Sequence, residues 1–195
     1  MTAPAATFRF DAPNHEYIDM ETGVVLPHIT GMLERTGWID DTWYTEESSA
    51  RGTAVHRLTA DFDLGALDVE TCVSNYRGYL LAHATAMSIL RPEILAVEEP
   101  IVHPTMRFGG RPDRDVIIRR LRGPLEIKTG DPEKSHQIQT ALQAILIEQS
   151  ARIPAYGLQR TCLYVRDKGK FKVIEHKDRR DFDEAHRVIL RCVRG

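Results

Sequence analysis

Apolar residues recur along this chain with two periods, and the places where one period gives way to the other mark out its elements. Residues 8–10 and 17–20 alternate as short strands. Glu21-Thr22-Gly23 turns into a third extended run at 24–27, so the start reads as an N-terminal hairpin outside the main core. Thr30 is placed to cap a short helix that runs to Arg35 and closes at Gly37, with Trp38 and Trp43 anchoring an irregular connection. Thr45 before Glu46-Glu47 opens a second helix, in which Ala54, Val55, Leu58 and Phe62 recur at helical spacing and which carries His56. Gly52 lies one turn before His56 on the same face. Glycine there costs about 1 kcal/mol against alanine, which points to a close backbone approach or a bend. A further helix is predicted over 69–90, with Val69, Val73, Tyr76, Leu80, Met87 and Leu90 on one stripe and Pro92 as its stop.

From residue 94 the pattern becomes extended: 94–102, a turn at 107–110, then 113–118 and 125–129, with the Gly-Pro of 119–124 turning the chain back. Asp131 and Pro132 fit the cap and first position of a helix whose buried stripe is Ile138, Ala141, Leu142, Ile145 and Leu146. Residues 158–165 and 171–175 read as two strands joined by a turn at 166–170, and 182–193 as a closing amphipathic helix. From 69 to 165 the order is helix, three strands, helix, strand. The expected class is α/β, a central mixed sheet flanked by helices, with an N-terminal hairpin and helical extension. Absence of a repeat or low-complexity linker makes 1–195 one expected domain: an extension over 1–66 carrying the His56 helix, a core over 67–166 and a C-terminal strand and helix over 167–195.

Composition changes this picture little. The 195 residues are 42% hydrophobic and 28% charged, as in ordinary globular chains, and the formal net charge of −2 requires any nucleic-acid footprint to be local. Arg107, Arg111, Arg114, Arg119, Arg120 and Arg122 form the one basic cluster; it reads equally as a strand-binding patch or as a solvated hairpin edge. Cys72, Cys162 and Cys192 make no CxxC pair, so neither zinc nor an iron-sulfur cluster is indicated, and a reducing cytoplasm is expected. No apolar run reaches the length of a membrane span.

Chemistry concentrates in 110–139. On the strand 125–129, alternation sends Glu126 and Lys128 to one face and Leu125 and Ile127 to the other. A carboxylate and an ammonium two residues apart on an apolar strand need partners. If the preceding strand folds back, Asp113 approaches Glu126; two carboxylates, a strand carbonyl and waters suit Mg²⁺ or Mn²⁺, and a nearby lysine can position or deprotonate a water. Asp115 is an alternative to Asp113, or the partner of Arg114 or Arg119.

At Pro112-Asp113, Glu126-Ile127-Lys128 and Gln139, the chain resembles the PD-(D/E)XK nuclease superfamily, whose restriction-endonuclease-like αβββαβ core matches the element order read above. Two upstream stretches extend the resemblance. Arg51-Gly52-Thr53-Ala54-Val55-His56 is similar to the RGTxxH segment of the RecB-type branch, and Leu26-Pro27-His28-Ile29-Thr30-Gly31-Met32-Leu33 to the LPSVTxIL stretch before it in relatives of the mitochondrial genome maintenance exonuclease. Two departures stand out: Gln143 occupies a position where members often carry an aromatic residue, and His28 replaces a serine.

The resemblance implies a metal-dependent deoxyribonuclease using one or two Mg²⁺ or Mn²⁺ ions and no iron-sulfur cluster. It implies Asp113, Glu126, the Ile127 carbonyl and His56 as metal ligands, and Lys128 and Gln139 as catalytic residues. Glu98 is implied on the strand before Asp113 as an outer-shell acid, with Glu99 its competitor. Without the resemblance, His56 would read as a packing residue. Arg51, Arg107, Arg111 and Arg114 are the expected contacts to DNA, single-stranded or with free ends. The expected protein is a cytoplasmic exonuclease or end-processing enzyme of a bacterium or phage, acting in repair, recombination or replication, with no membrane partner; the alternative is a catalytically idle nuclease fold used for binding or assembly.

Overall fold

The computed structural model describes residues 8–40 and 45–193; Trp43 lies outside them. Its centre is a five-stranded mixed sheet of order β10-β9-β8-β7-β4. Strands β4 (Glu93–Val97), β7 (Arg114–Ile118) and β8 (Leu121–Lys128) pair antiparallel in turn. Strand β9 (Arg160–Val165) then runs parallel to β8, and β10 (Phe171–His176) closes the far edge antiparallel to β9. The parallel step requires a crossover, and helix α4 (Lys134–Ala151) supplies it. Eleven of its side chains are buried, including the whole predicted stripe from Ile138 to Leu146. They pack on α1 (Ile29–Arg35) and α5 (Arg180–Val193). The other face of the sheet is covered by α2 (Glu46–Asp63) and α3 (Arg77–Leu90), whose Val55, Ala82 and Ala86 meet Val116, Leu125, Ile127 and Leu163.

Ahead of this core, the expected N-terminal hairpin, β1 (Phe8–Asp11) and β2 (Glu16–Asp19), is joined by β3 (Val25–Leu26) in a separate three-stranded antiparallel sheet. It docks on the two-stranded ribbon of β5 (Ile101–His103) and β6 (Phe108–Gly110) through the bridge between His28 and Gly109. Tyr17 is fully buried there.

Several boundaries differ from the sequence expectation. His28, not Thr30, caps α1: its Nδ1 accepts from the Gly31 amide at 3.3 Å. The third helix begins at Arg77 rather than 69, because Ser74 Oγ takes the Tyr76 amide (3.1 Å) and the Val69 carbonyl takes Arg77 Nε (2.9 Å), which holds 69–76 as a loop with Val73 in solvent. Helix α4 starts at Lys134 with Glu133 as its cap, since Asp131 is drawn away to Arg166 at 2.7 Å. The expected strand 94–102 breaks at Glu98, which has a left-handed φ of 48°.

The β7–β8 turn is not at Gly123-Pro124 but at Arg119 and Arg120, both left-handed (φ 50° and 71°). Gly123 instead lies inside β8, where a Cβ would stand 1.9 Å from the Gln159 carbonyl oxygen. Thr45 caps α2 as expected, in a reciprocal pair with Ser48. That helix runs unbroken through Gly52, and a Cβ there would meet nothing within 4 Å, so neither a bend nor a close approach within the protein explains this glycine.

Candidate active site

Three elements bring the charged residues together. The antiparallel register that sets Arg114 against Leu125 puts Asp113, just before β7, beside the end of β8, where its Oδ2 accepts from the Ile127 amide at 2.7 Å. Alternation along β8 sends Leu125 and Ile127 into the core, fully buried, and Glu126 and Lys128 to the other face, where α4 lies. There Gln139 and Gln143, one helical turn apart, meet Glu126. Gln139 Nε2 donates to Glu126 Oε1 and Gln143 Nε2 to Oε2, each at 2.6 Å. Lys128 Nζ donates to Glu126 Oε1 and to Gln139 Oε1, both at 2.9 Å. Both Glu126 carboxylate oxygens and the Lys128 ammonium are thus bonded to side chains of α4.

Helix α2 brings the third component: His56 Nδ1 lies 3.0 Å from Asp113 Oδ1, with 29% of the imidazole side chain exposed. Glu98 arrives from the break after β4; its amide donates to the Asp113 carbonyl at 3.0 Å, and its carboxylate pairs with Arg111 at 3.2 Å. The left-handed φ of Glu98 and the register shift between Ile94 and Ala96 redirect the chain here. As a result His56, Glu98 and Asp113 each offer a ligand atom, all within 4.8 Å of one another. They line a cleft of about 720 Å³ that also reaches Glu126, Gln139 and Gly52.

The electrostatics follow from the contacts. Burial would raise the Asp113 carboxyl, but His56, Lys128 and the Ile127 amide outweigh it and bring the group down to about 2. Asp113 in return raises His56 above its ordinary value against the opposing effect of burial. Burial would lower Lys128, yet Glu126 and Asp113 raise it, so the lysine is a cation at neutral pH. Cys162, across from Glu126 on β9, is pushed up to about 12 by burial and by Glu126 and stays a neutral thiol.

The arginines separate. Arg111 borders the cleft, and Arg51 lines a smaller depression beyond His56 together with Lys128. Arg107 pairs with Asp19 of the N-terminal sheet at 2.7 Å. Arg114 is a correction: it is fully buried, bonded through Nε to Asp63 at 2.6 Å and through Nη1 to the Asp113 carbonyl at 2.5 Å, and presents nothing to a nucleic acid. Asp115 is engaged by Arg122 (2.6 Å), so of the two candidate aspartates Asp113 is the one in the cleft. Glu98 sits among the potential ligands rather than behind them, whereas Glu126 is occupied by three donors.

Two residues escaped the sequence reading. Gln143 was visible only as a departure from an aromatic, although its spacing of four from Gln139 puts both amides on one helix face. Asp63, seven residues after His56 on α2, accepts from Arg114 and pairs with His83 Nε2 at 2.9 Å; no local pattern announces a partner 51 positions away.

No family model matches the chain, and no curated protein does. Among solved structures it is similar to one described as LHK-Exo in complex with dAMP. The two share 19% sequence identity over 84% of each chain, with a TM-score of 0.41.

Proposed function

We propose that the chain is a divalent-metal-dependent nuclease that hydrolyses phosphodiester bonds of DNA. The observation that carries the reading is the convergence of His56, Glu98 and Asp113 within 4.8 Å, in a cleft that Glu126 and Gln139 also line, with Lys128 bonded to both of these. The donor set fits a hard or borderline ion. One imidazole nitrogen with carboxylate oxygens suits Mn²⁺ as well as Mg²⁺. His56 Nδ1 and Asp113 Oδ1, 3.0 Å apart, are close enough that both would hold one ion. The Ile127 amide faces Asp113, and because a strand residue's N–H and C=O share an edge, its carbonyl is aimed at the same place.

Bound there, the ion would supply Lewis-acid polarisation of the scissile phosphate and a more acidic water. The chain's own residues do the rest. Asp113 and His56 hold ligand atoms toward the cleft, and Glu98 adds a third from the opposite lip. Lys128, kept charged by Glu126, donates to the attacking water and offsets negative charge accumulating on the phosphoryl oxygens. A charged ammonium is a poor base, so its part is orientation and electrostatics rather than proton removal. Gln139 fixes the Lys128 rotamer, and Arg111 and Arg51 contact phosphates on either side.

A cleft of about 720 Å³ has the size of a small-molecule pocket and suits a splayed strand end more than an intact duplex. This supports exonuclease or end-processing action on single strands. The test is hydrolysis of end-labelled linear and of closed circular DNA with Mg²⁺ or Mn²⁺ by wild type, Asp113→Ala and Lys128→Ala. Linear substrate should be consumed by wild type alone; full activity in either variant overturns the assignment.

A further inference from the structure

The basic cluster of the sequence does not gather at the cleft. Arg119 and Arg120 form the β7–β8 turn at the opposite end of the sheet, separated from Lys128 by the length of β8, roughly 23 Å. Both adopt left-handed backbone (φ 50° and 71°), in a turn type where asparagine and glycine are the usual pair. Arginine is thus not favoured at either position by the backbone it adopts. Arg119 borders a second cleft of about 430 Å³, with Tyr156, His176, Lys177, Arg179 and Phe182 around it.

The chemistry of this cleft is specific. Tyr156 is 60% exposed on a 3-10 turn, with the Arg179 guanidinium 5.3 Å from its ring centroid, which makes a flat aromatic and cationic platform. Arg119, Arg120 and Arg179 have no carboxylate partner among the described residues, unlike Lys177, which pairs with Glu175. His176 Nε2 is buried and lacks a hydrogen-bond partner. Unpaired cations beside an exposed aromatic are the combination that holds single-stranded nucleic acid, phosphates on the arginines and a base on the ring.

We infer that this distal cleft, lined by Arg119, Tyr156 and Arg179 and extended by Arg120 of the same turn, is a second binding site for single-stranded nucleic acid, holding the strand away from the point of cleavage. It rests on the nuclease reading for its purpose but not for its detection. At about 3.4 Å per stacked nucleotide, at least seven nucleotides are needed to span both sites, so a longer strand gains affinity by engaging both.

The experiment is fluorescence anisotropy in EDTA with fluorescein-labelled oligothymidylates of 6 and 25 nucleotides. Wild type should bind the longer strand far more tightly. Tyr156→Ala with Arg179→Ala should cut affinity for the 25-mer on the order of tenfold and shrink the gain over the 6-mer, with a salt slope smaller by about one. Arg119→Gly with Arg120→Gly should weaken the 25-mer while raising the melting temperature, because glycine relieves the left-handed backbone; a structural role for these arginines would not pair those two changes. Unchanged 25-mer affinity in both double variants overturns the inference. So does displacement of the 25-mer by polyglutamate as effectively as by unlabelled strand, which would assign the cleft to an acidic protein. Hydrolysis is not read in this assay: a protein that shows the length gain yet cleaves no DNA refutes the nuclease reading alone, and one that cleaves but shows no variant effect refutes only the distal site.

Discussion

Removing the Asp63 carboxylate should destabilise the protein far more than an acid at the end of a helix ordinarily would. Its side chain is 2% exposed and that of Arg114 is 0% exposed, with 2.6 Å between them, and His83 shares the same carboxylate. In Asp63→Ala the guanidinium stays buried without its counter-charge, a loss of about 3–5 kcal/mol. That is a large part of the roughly 5–15 kcal/mol that separates folded from unfolded chains. At about 2–4 °C per kcal/mol for a chain of this size, the melting temperature should fall by roughly 6–20 °C. Urea unfolding followed by circular dichroism measures it, with an unchanged m-value showing that the native state is otherwise intact. Asp63→Leu combined with Arg114→Met should recover most of the loss, because an apolar pair leaves no orphaned charge. The same variants should bind Mn²⁺ more weakly, since Arg114 and the Glu98 amide both donate to the Asp113 carbonyl. A loss below about 1 kcal/mol in Asp63→Ala would refute the reasoning, for it would put Arg114 in the class of solvent-screened ion pairs.

Four other outcomes are expected. Gln143→Leu deprives Glu126 Oε2 of its donor; the cost is about 2 kcal/mol, visible as a lower melting temperature in EDTA and a larger upward shift on adding Mn²⁺. Because His56 has its pKa raised in the folded protein, its pairing with Asp113 contributes stability that is complete below the unfolded value near 6.5 and lost as pH rises through the folded value. Unfolding in EDTA should therefore show falling stability above neutral pH, absent in His56→Asn. Asp113, brought down to about 2, contributes stability above its ordinary value near 3.8 that disappears only as pH falls toward 2. Gly123→Ala forces a Cβ against the Gln159 carbonyl and should cost about 3 kcal/mol or more by urea unfolding.

What the sequence made legible is what covalent spacing controls. Alternation along β8 placed Glu126 with Lys128, and the period of α4 put Ile138, Leu142 and Ile145 inside; both follow from backbone geometry and need no knowledge of neighbours. Within the expected turn segment 119–124 the stronger local signal is Gly123-Pro124, whereas the chain reverses at its first two residues, arginines that no turn preference favours. Arg114 reads like its surface neighbours until Asp63, far along the chain, is folded against it. Gln143 was seen as an anomaly because its purpose depends on Glu126 lying opposite, a contact between a strand and a helix that only packing creates. Burial and long-range pairing, not propensity, account for the misses at Arg114 and Gln143.

Helix α2 carries His56 and Asp63 seven residues apart, two turns of one rigid rod. Its middle touches the cleft through His56, and its C-terminal end is fastened in the core through Asp63 to His83 and to Arg114, whose Nη1 reaches back to the carbonyl of Asp113. The cleft is therefore assembled by a brace as well as by a sheet. The αβββαβ segment alone is thus not the smallest transferable form of this cleft: a graft or a minimised variant would have to take α2 along.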